Sequence, residues 1–215
     1  MKKTAPIFII LALLCTQAHA QFQIPYGFSE MKGARIYIDF DGDGEKDIVT
    51  IIRQIEADEF NERYHAFLIY LTSKNKPHIL KFGGIGHFTP MRVRNNTIRF
   101  GYVLRGTGVI ANEFTIRYNH TAGKIQLIGF DFGHRIRGWH YNGYREVSYN
   151  LLTGDFHVTN SLTMFKNVEY PEGRIDFFRG NRRINPVFWD DIDYELIELL
   201  SSVGEEFEYR YEVEM

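Results

Sequence analysis

The chain has 215 residues, 44% of them hydrophobic and 15% aromatic, with 25 basic residues against 27 acidic. That composition supplies ample material for a packed core, and 18 Phe with 13 Tyr favour strands over helices. The near balance of charge gives no basic surface of the kind that nucleic acid or an anionic membrane would select.

Residues 1–20 read as a secretory signal peptide. Lys2 and Lys3 form its positive start, Ile7 to Leu14 its apolar run, and Ala18-His19-Ala20 a small-x-small cleavage site. The run is shorter than the roughly 20 residues a membrane span needs, so no transmembrane anchor is expected. Lipoprotein processing at Cys15 would want a small residue before the cysteine, and Leu14 stands there. Cleavage after Ala20 leaves 23 basic residues against 27 acidic, a formal charge of −4. It also removes Cys15, the one cysteine. An exported protein without disulfides, periplasmic or extracellular, must be stabilised by its core or by a metal.

Residues 21–215 are expected to form a single β-rich domain. Period-two alternation predicts a strand over 34–40, with Ile36, Ile38 and Phe40 on one side. Further strands are predicted over 47–53, 64–71, 91–94, 97–104, 112–118 and 124–130. Turn-forming Asn95-Asn96, Gly106-Thr-Gly108 and residues 119–123 separate the last four. The rhythm continues at 144–152, 156–158, 161–168 and 174–178. Such short separations favour antiparallel hairpins over parallel crossovers. One helix is predicted near 190–203. Asp190, Asp191 and Asp193 crowd its start, Ile192, Leu196, Leu199, Leu200 and Val203 form an apolar stripe, and Gly204 ends it. A last strand alternates from Phe207 to Val213. The fold class expected is mostly β, an antiparallel sandwich or strongly curved sheet with one C-terminal helix.

The sharpest chemistry lies in the stretch IDFDGDGEKDIV, residues 38–49. Counted from Asp39, carboxylates fall at positions one, three, five and nine (Asp39, Asp41, Asp43, Asp47). Glu45 stands at seven and Gly44 at six. This is the ligand spacing of an EF-hand-type loop, in which the glycine permits a sharp turn and position seven offers its carbonyl. A bidentate Glu at position twelve is missing, since Thr50 stands there, and the flanking patterns are strands. All-oxygen ligands in a flexible loop favour one calcium ion over magnesium, and the lack of His or Cys disfavours zinc. The competing reading is a solvated acidic turn, made of the residues turns prefer. Against it stands the mutual repulsion of four converging carboxylates.

DFDGDGEKDIV resembles the calcium loop of FG-GAP and VCBS-type repeats. The resemblance implies Asp39, Asp41, Asp43 and Asp47 as side-chain ligands and Glu45 as a carbonyl ligand. TIRYN (115–119), LIGFDF (127–132) and NLLTGDF (150–156) are similar to a wider set of exported bacterial β proteins in which one such loop precedes an antiparallel region. A propeller needs several blades and this chain has a single loop, so the integrin-like architecture is not implied.

Other constellations are weaker. The histidines show no metal-ligand spacing, no Gly-x-Ser-x-Gly elbow occurs, and FGGIGHF (82–88) lacks the Lys-Ser/Thr of a phosphate loop. Arg137, Trp139, Tyr141 and Tyr144 form a basic, aromatic passage that could stack sugars or cradle an acidic ligand; a loop covering one end of the sheet is the simpler reading, since glycines and aromatics are ordinary in such loops. The expected function is an exported calcium-binding β domain with a binding or structural role and a carbohydrate or protein ligand. The alternatives are an envelope-polymer hydrolase and an inhibitor or immunity-type partner of another secreted protein.

Overall fold

A computed structural model describes residues 22–57, 63–82, 86–105, 108–137, 141–164 and 174–203. The expected signal peptide and the expected strand 207–213 lie outside them. The described chain is mostly β, arranged as two antiparallel sheets with one α-helix near its C-terminal end.

Five strands make the smaller sheet: β1 (Phe28–Glu30), β2 (Ile36–Ile38), β3 (Asp47–Gln54), β4 (His65–Leu71) and β5 (Lys76–Phe82). β1 and β2 share one edge of β3, β1 pairing with its end and β2 with its start. β4 and β5 follow on the other side. Nine strands make the larger sheet: β6 (Gly86–Phe88), β7 (Arg92–Arg94), β8 (Thr97–Arg105), β9 (Gly108–Asn119), β10 (Lys124–Arg137), β11 (Tyr141–Asn150), β12 (Asp155–Met164), β13 (Arg174–Asn181) and β14 (Val187–Phe188). β8 to β13 run as a meander, and β14 pairs with Gln126 and Leu127 at the start of β10, which β11 leaves free. The β7–β8 connection shows why the hairpins close tightly. Asn95 and Asn96 both take positive φ, 48° and 56°, the two-residue turn whose twist matches the strands it joins.

The sheets face each other across one core. Val49, Ile51, Phe67, Ile69 and Leu80 from the smaller sheet meet Ile98, Phe100, Phe114, Ile116, Phe130 and Val147 from the larger. Phe67 and Phe100 stack across the interface, ring centroids 3.8 Å apart and 7° from parallel. A bulge between Leu127 and Gly129 lets β10 serve this core along its length. Ile125 and Leu127 are buried before it and Phe130 after it, so the alternation changes phase there. The smaller sheet is buried on its other face too. Ile52, Ala66, Leu68 and Tyr70 lie under Phe22, Ile24 and Phe28, with Phe22 5.1 Å from the Tyr70 ring. This accounts for the unbroken apolar run of β4, which a one-sided strand would not need.

The C-terminal helix is shorter than its sequence pattern predicts. Trp189–Asp191 form a 3-10 turn, Ile192 is extended, and α1 runs over Tyr194–Ser201. Two side chains set that break. The Asp191 carboxylate accepts the Phe188 N–H at 2.9 Å, and the Asp193 carboxylate accepts the Leu196 N–H at 2.8 Å as N-cap. Leu200 and Val203 are buried as the stripe requires, but Leu199 is half exposed and Ile197 packs in its stead. Among the described residues no helix is long and apolar enough to cross a membrane.

The edge that carries β1 is tied by Glu30, whose carboxylate accepts the Thr50 hydroxyl at 2.7 Å and the Arg35 guanidinium at 2.7 and 2.6 Å. The Arg35 hydrogen bond holds the Glu30 carboxyl below the usual 4.5, against the opposing effect of burial. Its stabilisation is therefore present above pH 4.5 and is lost as pH falls through the lower folded value. Glu30→Gln should cost about 0.5–1 kcal/mol at pH 7 and flatten the acid limb of stability. Urea unfolding at pH 7 and pH 3 measures both, and equal losses for the two proteins on acidification would rule this role out.

Candidate metal centre

The acidic loop joins β2 to β3 at one end of the smaller sheet. Phe40, 1% exposed, anchors its start in the core and meets the Tyr118 ring edge-on at 6.5 Å. Gly42 and Gly44 take φ of 74° and 90°, which lets the chain reverse within the loop. At Gly42 a side chain would also meet His120, 3.1 Å from where a Cβ would stand.

The fold brings Asp39, Asp41 and Asp43 together, with one carboxylate oxygen from each lying within 4.8 Å of the others. Part of each carboxylate is already committed. Asp39 Oδ2 accepts the Gly44 N–H at 3.0 Å, Asp41 Oδ2 accepts the Ser73 hydroxyl at 2.7 Å, and Asp43 Oδ1 accepts the Glu45 N–H at 2.7 Å. What remains is unusual. Asp39 Oδ1 and Asp41 Oδ1 are both buried without a hydrogen-bond partner, and Asp41 as a whole is only 7% exposed. Buried carboxylate oxygens without a donor are costly, and placing several near one point adds repulsion. A cation of oxygen-seeking character relieves both, so the donor set fits a hard divalent ion.

Asp47 stands apart from that triad. It is fully buried, and its oxygens accept three backbone N–H groups: Phe40 at 2.9 Å, Asp41 at 3.3 Å and Thr72 at 2.9 Å. Burial pushes its carboxyl above the ordinary value, the three hydrogen bonds oppose this, and the nearby Asp41 charge adds to the rise. Glu45 is exposed, its side chain outside the triad. The residues that sequence reading missed are Thr72 and Ser73, in the 3-10 turn Thr72–Lys74 between β4 and β5. Thr72 also donates its hydroxyl to the Lys46 carbonyl at 2.8 Å. Ser73 lies 32 positions from Asp41, and nothing in its neighbourhood marks it as a partner of the loop.

A second surface lies on the outer face of the larger sheet. Two adjoining hollows of about 340 and about 300 Å³ share Ala111, Gly133 and Glu146, and so form one open trough across β9, β10 and β11. Arg99 sits beside it, bonded to Glu113 at 3.0 Å and to Asp131 at 3.1 Å, which places one cation between two carboxylates directly opposite each other on neighbouring strands. Tyr144, singled out in the sequence, lines one end. Trp139 lies outside the described residues, as do the side chains of Arg137 and Tyr141, which belong to β10 and β11. Gly133 floors the trough with an ordinary backbone, and a Cβ added there would come no nearer than 3.9 Å to Ala111.

Two substitutions separate the parts played by these groups. Asp47→Asn should destabilise the protein by about 1–3 kcal/mol, because an amide cannot accept all three N–H groups. That loss is expected in chelator as well as in calcium, whereas Asp43→Asn should be silent in chelator. Denaturant unfolding in EGTA reads both, and an unaffected Asp47→Asn protein would remove the clasp role. Gly133→Val should leave the thermal midpoint unchanged or raise it, since the strand gains a β-branched residue in open space. A lowered midpoint would show that the bare floor serves packing.

Compared with family models, with curated proteins and with solved structures, the chain matches none, so its function is argued from this geometry.

Proposed function

We propose that the protein is an exported β domain stapled by one calcium ion, with a binding or structural role. The observation that carries the metal reading is the pair of buried, unpartnered oxygens, Asp39 Oδ1 and Asp41 Oδ1, within the triad of carboxylates. The FG-GAP and VCBS-type resemblance of the loop supports the same reading. Asp39, Asp41 and Asp43 supply side-chain oxygens and Glu45 its carbonyl. Asp47, a ligand by the resemblance, shapes the loop through its three backbone hydrogen bonds.

The ion acts as a local staple. It would fix the β2–β3 loop, which Asp41 and Asp47 already bond to the Thr72–Lys74 turn. Export is supported by the signal-peptide pattern of residues 1–20 and by the absence of cysteine from 21–215. The binding role is supported by the open trough, whose mixed carboxylate, guanidinium and hydroxyl lining suits a carbohydrate or the polar surface of a protein ligand.

Extracellular sites of this kind bind at about 0.1–1 mM, and calcium at ten times the dissociation constant adds about 1.4 kcal/mol. For a protein of this size that is a rise of about 3–6 °C in the thermal midpoint. The test is thermal unfolding in EGTA and in calcium, beside Asp41→Ala, Asp43→Ala. Calcium is expected to raise the wild-type midpoint and leave the double variant unmoved. Equal midpoints with and without calcium in the wild type would reduce the loop to an acidic turn.

A further inference from the structure

A third hollow, of about 180 Å³, lies between the two sheets and is more enclosed than the trough. β5 and the turn before it contribute Lys74, Lys76 and His78 to its wall, and the larger sheet side contributes Lys124, Trp189 and Asp190. Its chemistry is the inverse of the acidic loop. Its lining includes three lysines and one aspartate, so it carries net positive charge. Trp189 is 4% exposed, and its indole N–H has no acceptor. His78 Nε2 is likewise buried without a partner. Burial, followed by the charge of Lys76, holds the His78 ring towards its neutral form.

Indole N–H is a donor only and ammonium groups are donors only. A neutral imidazole can turn Nε2 into a donor by choice of tautomer. Among the side chains that line it, donors and cations therefore predominate, and Asp190 is the one anion. A lone water would satisfy the indole but would leave the excess of positive charge uncompensated. A metal cation is repelled. An apolar group would bury the indole N–H for good, at a cost no apolar contact with Leu71 or Ile125 recovers. The remaining chemistry is an oxygen anion, which accepts several hydrogen bonds at once and offsets the lysines.

We propose that this hollow binds a small oxyanion, a phosphate, a sulfate or the carboxylate of a larger ligand, with Trp189 Nε1 and His78 Nε2 donating and Lys76 and Lys124 supplying charge. Lys74 has another duty, since its Nζ donates to the Tyr118 hydroxyl and to the Gly123 carbonyl at 2.9 Å. Lys124 lies 5.4 Å from the Phe188 ring centroid, against the wall of the hollow. The site stands independently of the metal reading and uses none of its residues.

Trp189 provides the readout. The chain holds two tryptophans, so Trp139→Phe leaves Trp189 as the sole indole fluorophore. This protein is titrated in EGTA with sodium phosphate, sodium sulfate, sodium acetate and sodium glucuronate, each against sodium chloride at matched ionic strength. A saturable change in Trp189 emission is expected with at least one oxyanion and not with chloride. Which of them saturates tells a phosphate or sulfate site from a carboxylate site. Lys76→Gln, Lys124→Gln changes two exposed side chains, so it should keep the parent's thermal midpoint while weakening the binding at least tenfold. No saturable change with any of the four, or the same curve in the double variant, which would mean an adventitious ion only, overturns the proposal. Because the titration contains no calcium, its failure would not bear on the acidic loop, and the failure of the loop would not bear on it.

Discussion

Asp47 carries a fully buried carboxylate that no guanidinium or ammonium group pairs with among the described residues. Three backbone N–H groups make it tolerable, two from the start of the loop and one from a turn 25 positions away. Much else follows from that arrangement. With Phe40 N and Asp41 N bound to the same oxygen, the loop must leave β2 and re-enter β3 at one fixed angle. With Thr72 N on the other oxygen, the 3-10 turn after β4 is drawn against the loop, which puts the Ser73 hydroxyl on Asp41. The convergence of Asp39, Asp41 and Asp43 is thus organised by a residue outside their cluster. A buried carboxylate bonded only to amides is dear in desolvation, and its position at the base of the acidic loop gives a reason for bearing that cost.

Much of the fold was legible because alternation is a local property. Ile36, Ile38 and Phe40, or Phe114 and Ile116, declare their faces within a few residues. Where reading failed, a specific physical cause can be named. The bulge in β10 shifts the phase between Leu127 and Phe130, so a strict period of two ends the strand near 130 when it continues to Arg137. β5 was missed because Pro77 and two lysines dilute its pattern, features suited to an edge strand, which β5 is. β12 was read as two strands because Thr159 and Asn160 interrupt its hydrophobic sequence, yet both belong to it and Asn160 is buried.

The candidate sites divide in the same way. The spacing of Asp39, Asp41 and Asp43 is written in five residues, and the fold brings them together. Ser73 and Thr72 join them through tertiary structure alone. The trough on the larger sheet had no signal at all, because Glu113, Asp131 and Glu146 alternate with apolar residues just as any solvated sheet face does. What distinguishes them is register. Glu113 lies opposite Asp131, and Gly133 lies opposite both Ala111 and Glu146, which no single strand reveals. Tyr144, from the aromatic passage, lines that trough rather than a separate loop platform.

The two sheets differ in a way that bears on where contacts are made. The smaller is covered on both faces, by the core within and by Phe22, Ile24 and Phe28 without. The larger leaves its outer face bare, polar and indented. Between them, the Thr72–Lys74 turn stands with Thr72 and Ser73 bonded to acidic residues of the loop and Lys74 lining the basic hollow. Lys74 then reaches Tyr118 and Gly123 on the larger sheet, and Tyr118 in turn meets Phe40 at the loop's root. A concentration of negative charge and a concentration of positive charge are therefore held on opposite sides of three residues. That turn is the mechanical and electrostatic link between the sheets at this end, and a ligand on either side of it would act on the same short stretch of backbone.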